Sequence, residues 1–137
     1  MSLVYAPHFH LRAFDSLPEP ARLDALSHLL EALVLVNCCW LREHPRAPAL
    51  YESGVRYAEE PPGRDDWQDI PETLKRGDGD CEDLASWRLA ELRVRHFEDA
   101  RPFVKCTVST PRHVIYHVQV RRSDGRIEDP SRLLGMR

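Results

Sequence analysis

Concentrated positive charge is the first thing this sequence lacks. Its 137 residues include 19 Lys and Arg against 22 Asp and Glu, a formal net charge of −3, and the basic residues are scattered rather than run together. A polyanion binder needs a basic stripe or patch, so no nucleic-acid partner is expected. Met1 to His8 has no basic head followed by an apolar run, so it does not read as a secretory signal. The most apolar stretch, Leu29 to Leu41, is interrupted by Glu31 and Asn37 and reads as too short to span a bilayer. No membrane partner is expected, and the expected setting is cytoplasmic. Four cysteines, Cys38, Cys39, Cys81 and Cys106, show no disulfide framework, and adjacent Cys38 and Cys39 are poorly placed to bridge each other. Four free thiols are expected, and with no Cys-x-x-Cys pair no metal or other cofactor is expected.

What is present, 42% hydrophobic and 30% charged residues, fits one globular domain over residues 1–137. Residues 1–14 mix aromatic and basic types and suit an extended segment or strand. Ser16 reads as the N-cap of a long helix to about His44, with Pro18 in its first turn and Glu19 closing a capping box. Leu23, Leu26, Leu30 and Leu33 recur at helical spacing. Residues 29–39 are apolar nearly all round, which suits a central buried helix or one packed on two sides, with Cys38 and Cys39 in the core. Residues 47–57 suit a short second helix and Pro61-Pro62-Gly63 a loop. Pro71, with Ile70 and Leu74, suggests one or two helical turns that deliver the chain to Gly77. Residues 81–97 read as a helix with Leu84, Ala85, Leu89, Leu92 and His96 along one face and Trp87 at its border. Residues 103–108 and 114–120 read as strands, and Ser123-Asp124-Gly125 as a hairpin turn returning through Arg126 to Asp129. The fold class is therefore α+β.

The stretch Gly77-Asp78-Gly79-Asp80-Cys81-Glu82-Asp83-Leu84-Ala85-Ser86-Trp87 puts a cysteine where a turn becomes a helix. Asp80 is a good N-cap whose carboxylate can accept from the N–H of Asp83, and Gly77 and Gly79 allow backbone angles that other residues resist. Cys81 is then the first helical residue, among unpaired N–H groups and at the positive end of the helix dipole, which favours thiolate. The plainer interpretation is a well-capped helix start with an ordinary buried thiol. Asp78, Asp80, Glu82 and Asp83 also push against thiolate, so a reactive cysteine here requires a histidine partner.

The strand around His117 supplies one. Val114, Tyr116, Val118 and Val120 face one way, and His113, Ile115, His117, Gln119 and Arg121 the other. If Ser123-Asp124-Gly125 is a three-residue loop with Gly125 left-handed, Gln119 lies opposite Asp129, which puts Asp129 one diagonal step from His117. His113 would be roughly 13 Å along the strand and cannot serve the same sulfur. Taken singly, His117 could be an ordinary strand residue and Asp129, before Pro130, a turn cap. In the order Cys, His, Asp, on a helix followed by an antiparallel hairpin, they point to a triad.

The segments Trp67-Gln68-Asp69-Ile70-Pro71, Gly79-Asp80-Cys81-Glu82-Asp83, Tyr116-His117-Val118-Gln119-Val120 and Ile127-Glu128-Asp129-Pro130-Ser131 resemble the transglutaminase-like superfamily of papain-type thiol enzymes, and in particular its short bacterial and phage-associated members. The resemblance covers roughly residues 64–137. It implies a Cys81-His117-Asp129 triad on a cysteine-bearing helix packed against a small antiparallel sheet, and acyl-transfer chemistry on a protein or peptide substrate. It also implies a residue upstream of the cysteine that helps hold the oxyanion, for which Trp67 or Gln68 is the positional candidate. Calcium is not carried over, because the chain is too short for the extra domains and metal sites of the larger animal enzymes. The expected mechanism is thiolate attack by Cys81 on an amide or ester carbonyl, with His117 moving the proton and Asp129 orienting His117. Peptidase, amidase, deamidase and amine-transferring versions share these parts. The rivals are a catalytically silent peptide-binding module and a zinc site from Cys81, His113 and His117 or Cys106; on a strand the His113 and His117 rings are too far apart to converge on a metal.

Overall fold

The computed structural model describes residues 11–61, 66–110 and 113–137. In chain order these form α1 (Glu19–Glu43), β1 (Arg56–Tyr57), α2 (Ile70–Arg76), β2 (Asp78–Gly79), α3 (Cys81–Arg95), β3 (Arg101–Thr110), β4 (His113–Arg121), β5 (Ile127–Glu128) and α4 (Pro130–Leu133). The architecture is α+β. β3, β4 and β5 make an antiparallel sheet in that order, and β1 and β2 a short parallel pair.

α1 begins at Glu19, three residues after the expected cap. A residue before proline is steered away from helical angles, and Leu17, before Pro18, is extended at ψ 145°. Ser16 instead closes a 3-10 turn at Phe14–Ser16, its hydroxyl donating to the Ala13 carbonyl at 2.8 Å. The expected extended segment is therefore replaced by turns from Arg12 onward, and its first ten residues lie outside the described ones. α1 buries Leu30, Val34, Asn37, Cys38 and Leu41 but leaves Leu35 and Val36 more than half exposed and Cys39 on the surface. It is thus a covering helix, and the expectation that both adjacent cysteines are core residues holds for Cys38 only. The stretch Leu29–Leu41, read from the sequence as too short to span a bilayer, lies within this 25-residue helix. By length and composition α1 could cross a membrane, with a hydropathy of 1.4 over 18 residues; 22% of that window is buried.

The central helix is α3. Asp83, Leu84, Ala85, Ser86, Trp87, Leu89, Ala90, Glu91 and Leu92 are all buried, so burial runs round the helix rather than along one stripe, and His96 ends it in solvent. α1 covers one side, while Val118 and Val120 of β4 join the core on another. Full burial of a side chain the size of Leu contributes about 1.5–3 kcal/mol, so this packing is what holds the cysteine-bearing helix to the sheet. Asn37 breaks the apolar run of α1 for a reason. Its Oδ1 accepts from the N–H of Ile70 at 2.9 Å, an orphan donor in the first turn of α2, and its Nδ2 donates to Ser86 Oγ at 3.2 Å.

Residues 47–57 do not form a helix. A 3-10 turn at Leu50–Glu52 ends before Gly54 at φ +83°, and the chain then enters β1, which pairs Arg56 with Asp78 and Tyr57 with Gly79. A two-residue strand leaves no period to read, so neither β1 nor β2 was legible beforehand. Of the expected Pro61-Pro62-Gly63 loop, only Pro61 is among the described residues.

Candidate active site

Asp69 caps α2 by accepting from the Glu72 N–H at 3.1 Å, and Gly77 ends that helix in the left-handed region. Two residues of β2 then lead into α3. Asp80 is its N-cap in a reciprocal capping box with Asp83: the Asp80 carboxylate takes the Asp83 N–H, and Asp83 Oδ2 takes the Asp80 N–H at 3.1 Å. Asp83 also accepts from the Gln68 backbone N–H at 2.7 Å and from Gln68 Nε2 at 3.1 Å. Burial and the Asp80 charge raise the Asp83 carboxyl above the usual carboxylate range, against the pull of these N–H donors. Gly79 has ordinary backbone angles, so close approach rather than conformational freedom explains it. A Cβ there would lie 3.0 Å from Asp83 Cβ and 3.2 Å from Asp83 Oδ2.

Cys81 takes the first position of α3, as the sequence implies. Its thiol is not acidic in this state. Burial raises it most, and the charge of Glu82 and a hydrogen bond from Sγ to Glu82 Oε2 at 3.0 Å raise it further; the Val118 N–H on the sulfur opposes them. The expected gain from the helix dipole is thus outweighed by desolvation and an adjacent carboxylate. Contact with the Val118 N–H sets the sulfur against β4, one residue beyond His117.

The β4–β5 hairpin has the three-residue register. Val120 pairs with Glu128, Arg121 with Ile127, the Arg122 N–H donates to the Arg126 carbonyl at 2.8 Å, and Gly125 sits at φ +89°. Gln119 therefore faces Asp129. His117 Nε2 lies 2.9 Å from Asp129 Oδ2, to which Gln119 Nε2 also donates at 3.0 Å. Asp129 Oδ1 meanwhile accepts the Arg132 N–H at 3.3 Å, so this residue is both the N-cap of α4 and the partner of the histidine. Burial would raise the Asp129 carboxyl, but the bonds from His117 and Gln119 hold it below its usual value. With Nε2 engaged, Nδ1 is the histidine nitrogen left for a proton in transit.

β5 has only two paired residues, and a side-chain clamp secures it. Glu128 accepts from Tyr51 Oη and Arg88 Nε, both at 2.6 Å, and from Arg122 Nη1 at 3.0 Å, with the Arg88 guanidinium 5.0 Å from the Tyr51 ring centroid.

No family model, curated protein or solved structure matches the chain. The local chemistry carries the functional reading.

Of the two upstream candidates, Gln68 is brought to the start of α3, but its Nε2 is engaged by Asp83, and its Oε1 is buried without a hydrogen-bond partner. Trp67 is partly buried against the core. Gln68 also lines a cleft of about 140 Å³ with Glu59, Asp78, Gly79 and Asp80, on the upstream side of the cysteine. Sequence reasoning missed two site residues. Gln119 holds the same carboxylate oxygen as His117 and could have been found from the register. Glu82, taken only as one of several nearby charges, is the direct partner of the thiol, and no spacing rule distinguishes it from Asp83. Among the described residues no group of three or more His, Cys, Asp or Glu is arranged to hold a metal ion.

Proposed function

We propose that this chain is a thiol-dependent acyl-transfer enzyme with a papain/transglutaminase-like core, cleaving or exchanging an amide bond of a protein or peptide as a peptidase, amidase or deamidase. The observation that carries the proposal is His117 of β4 held 2.9 Å from Asp129, with the N–H of the next residue, Val118, on the sulfur of Cys81 at the first position of α3. In this reading Cys81 Sγ attacks the carbonyl while His117 Nδ1 takes the thiol proton, so the raised thiol is deprotonated as it reacts rather than beforehand. The oxyanion is held by the Cys81 N–H at the helix start, a donor worth about 3 kcal/mol. His117 then protonates the leaving nitrogen as the C–N bond breaks, and water or an amine, giving up its proton to His117, releases the acyl group. Asp129, itself held by Gln119, fixes the ring throughout. Four free thiols suit a reducing, cytoplasmic setting.

A second reading, a catalytically silent peptide-binding module, is favoured by one observation, the thiol hydrogen bond to Glu82. Acylation by p-nitrophenyl acetate separates the two. The enzyme reading expects a burst of p-nitrophenolate with one acetyl group on Cys81 by mass spectrometry, lost in Cys81→Ala and in His117→Ala. Acetylation of Cys81 at the same rate in His117→Ala as in the parent would overturn it.

A further inference from the structure

We propose that the open edge of β4 between Val114 and Val118 is the docking line for the substrate, an extended peptide that adds to the sheet as a strand and lays an apolar side chain over Ile115. The proposal rests on the thiol-enzyme reading and deepens it by naming the form and chemistry of what is bound.

β3 pairs with β4 from Arg101↔Arg121 to Thr110↔His113, whereas β5 pairs only with Val120 and Arg121. Among the described residues the β5-side edge of β4 has no strand partner before Val120. Since the Arg122 N–H points to β5, the two-residue period sends the N–H and C=O of Val120, Val118, Tyr116 and Val114 to that same edge. At Val118 the N–H meets the Cys81 sulfur. The cysteine thus occupies the first rung beyond the end of β5, and Tyr116 and Val114 offer the next two. Tyr116 lies one two-residue step, about 6.6–6.8 Å, from Val118, the interval at which alternate residues of an extended peptide recur. A peptide bonded to Tyr116 therefore brings a carbonyl two residues further along to Cys81.

The character of the edge fits this use. Exposed strand edges are ordinarily blunted by charges, proline or a covering element. Residues 113–119, His-Val-Ile-Tyr-His-Val-Gln, contain no Lys, Arg, Asp, Glu or Pro. Ile115 is 41% exposed, lies on the His117 face of the strand, and pairs with Val108, itself 40% exposed. Together they give an apolar seat for a substrate side chain, while main-chain hydrogen bonds supply the grip, the division of labour seen in strand-addition recognition.

The test uses two alkylating probes on the full chain, acetyl-Ala-Leu-Ala-Ala chloromethyl ketone and the single-residue acetyl-Ala chloromethyl ketone. Each forms a C–S bond at Cys81 and releases chloride. The longer probe is expected to alkylate Cys81 about tenfold faster, from two or three added hydrogen bonds. In its adduct, amide exchange at Val114 and Tyr116, followed residue by residue by NMR, should slow by about tenfold or more, while the short adduct exchanges like the free protein. Equal exchange of these two amides in both adducts, with Cys81 still preferred over the exposed Cys39, would overturn the docking line and leave the thiol reading standing. If neither probe prefers Cys81 over Cys39, both fall.

Discussion

Replacing Glu82 with Gln tests the electrostatics of the thiol directly, since Gln keeps the shape of the side chain and removes its charge. Glu82 Oε2 lies 3.0 Å from Cys81 Sγ. At that distance two unit charges interact by about 1.4 kcal/mol in a water-like dielectric and about 5.5 kcal/mol at an effective dielectric of 20. Glu82 is only partly buried, so the lower figure is the floor. One pKa unit corresponds to about 1.36 kcal/mol, so Glu82→Gln should lower the thiol by about one unit or more. The sign follows from the charge: the carboxylate disfavours thiolate, and its removal favours it. The assay is the rate of iodoacetamide alkylation against pH, with modified Cys81 separated from Cys39 and Cys106 by peptide mass. The variant's profile should rise at lower pH than the parent's. An unmoved midpoint would refute the argument that this hydrogen bond, rather than burial alone, holds the sulfur as a thiol.

Gly79→Ala should cost about 1–3 kcal/mol in urea unfolding, because the new Cβ forces the buried Asp83 side chain from its place between Gln68 and Asp80; unchanged stability would mean that the capping box tolerates the shift. Asp129→Ala should remove the cap of α4, about 0.5–2 kcal/mol, and abolish the acylation burst. The Asp129 carboxyl is held low in the folded state, so its contribution is present above the unfolded value of about 3.9 and is lost as pH falls through the lower folded value. The stability gap between parent and variant should therefore narrow below about pH 4, and a gap independent of pH would place the effect in packing.

The hairpin was legible because its turn chemistry leaves few options. With Gly125 left-handed, one register follows, and in it Asp129 meets His117. The helix start was legible for the same reason: Asp80 and Asp83 are three apart, the spacing at which a cap and its reciprocal partner meet. The charge state of the cysteine was not. It depends on which way Glu82 turns and how deeply the sulfur is buried against β4, neither of which is written in spacing. α1 misled in another way, since a run apolar nearly all round looks central, yet Leu35 and Val36 face outward and α3, whose sequence is more polar, occupies the centre. α3 can do so because its polar residues are satisfied where they stand. Asp83 takes Gln68 and Asp80, Ser86 bridges Asn37 and the Asp83 carbonyl, and Glu91 accepts from the Leu50 N–H and Arg88.

Two pairs of adjacent acids divide their contacts between anchoring and the Cys81 and His117 side chains. In Glu82-Asp83 the helix turns about 100° between residues, which carries Asp83 inward to lock the cap and leaves Glu82 at the sulfur. In Glu128-Asp129 the strand alternates, so Glu128 meets Tyr51, Arg88 and Arg122 while Asp129 meets His117 and Gln119. One acid of each pair anchors its element, and the other meets the thiol or the imidazole. The anchors matter because the elements they hold are short. β5 contributes two paired residues to the sheet, too few to place Asp129 beside His117 by ladder bonds alone, and Glu128 adds three charged or hydroxyl donors from other parts of the chain. Hydrogen bonds to a charged group contribute about 1.5–3 kcal/mol each, more than the roughly 0.5–1.5 kcal/mol of a typical neutral one, so the clamp outweighs the two-residue ladder in deciding where the Asp129 carboxylate sits.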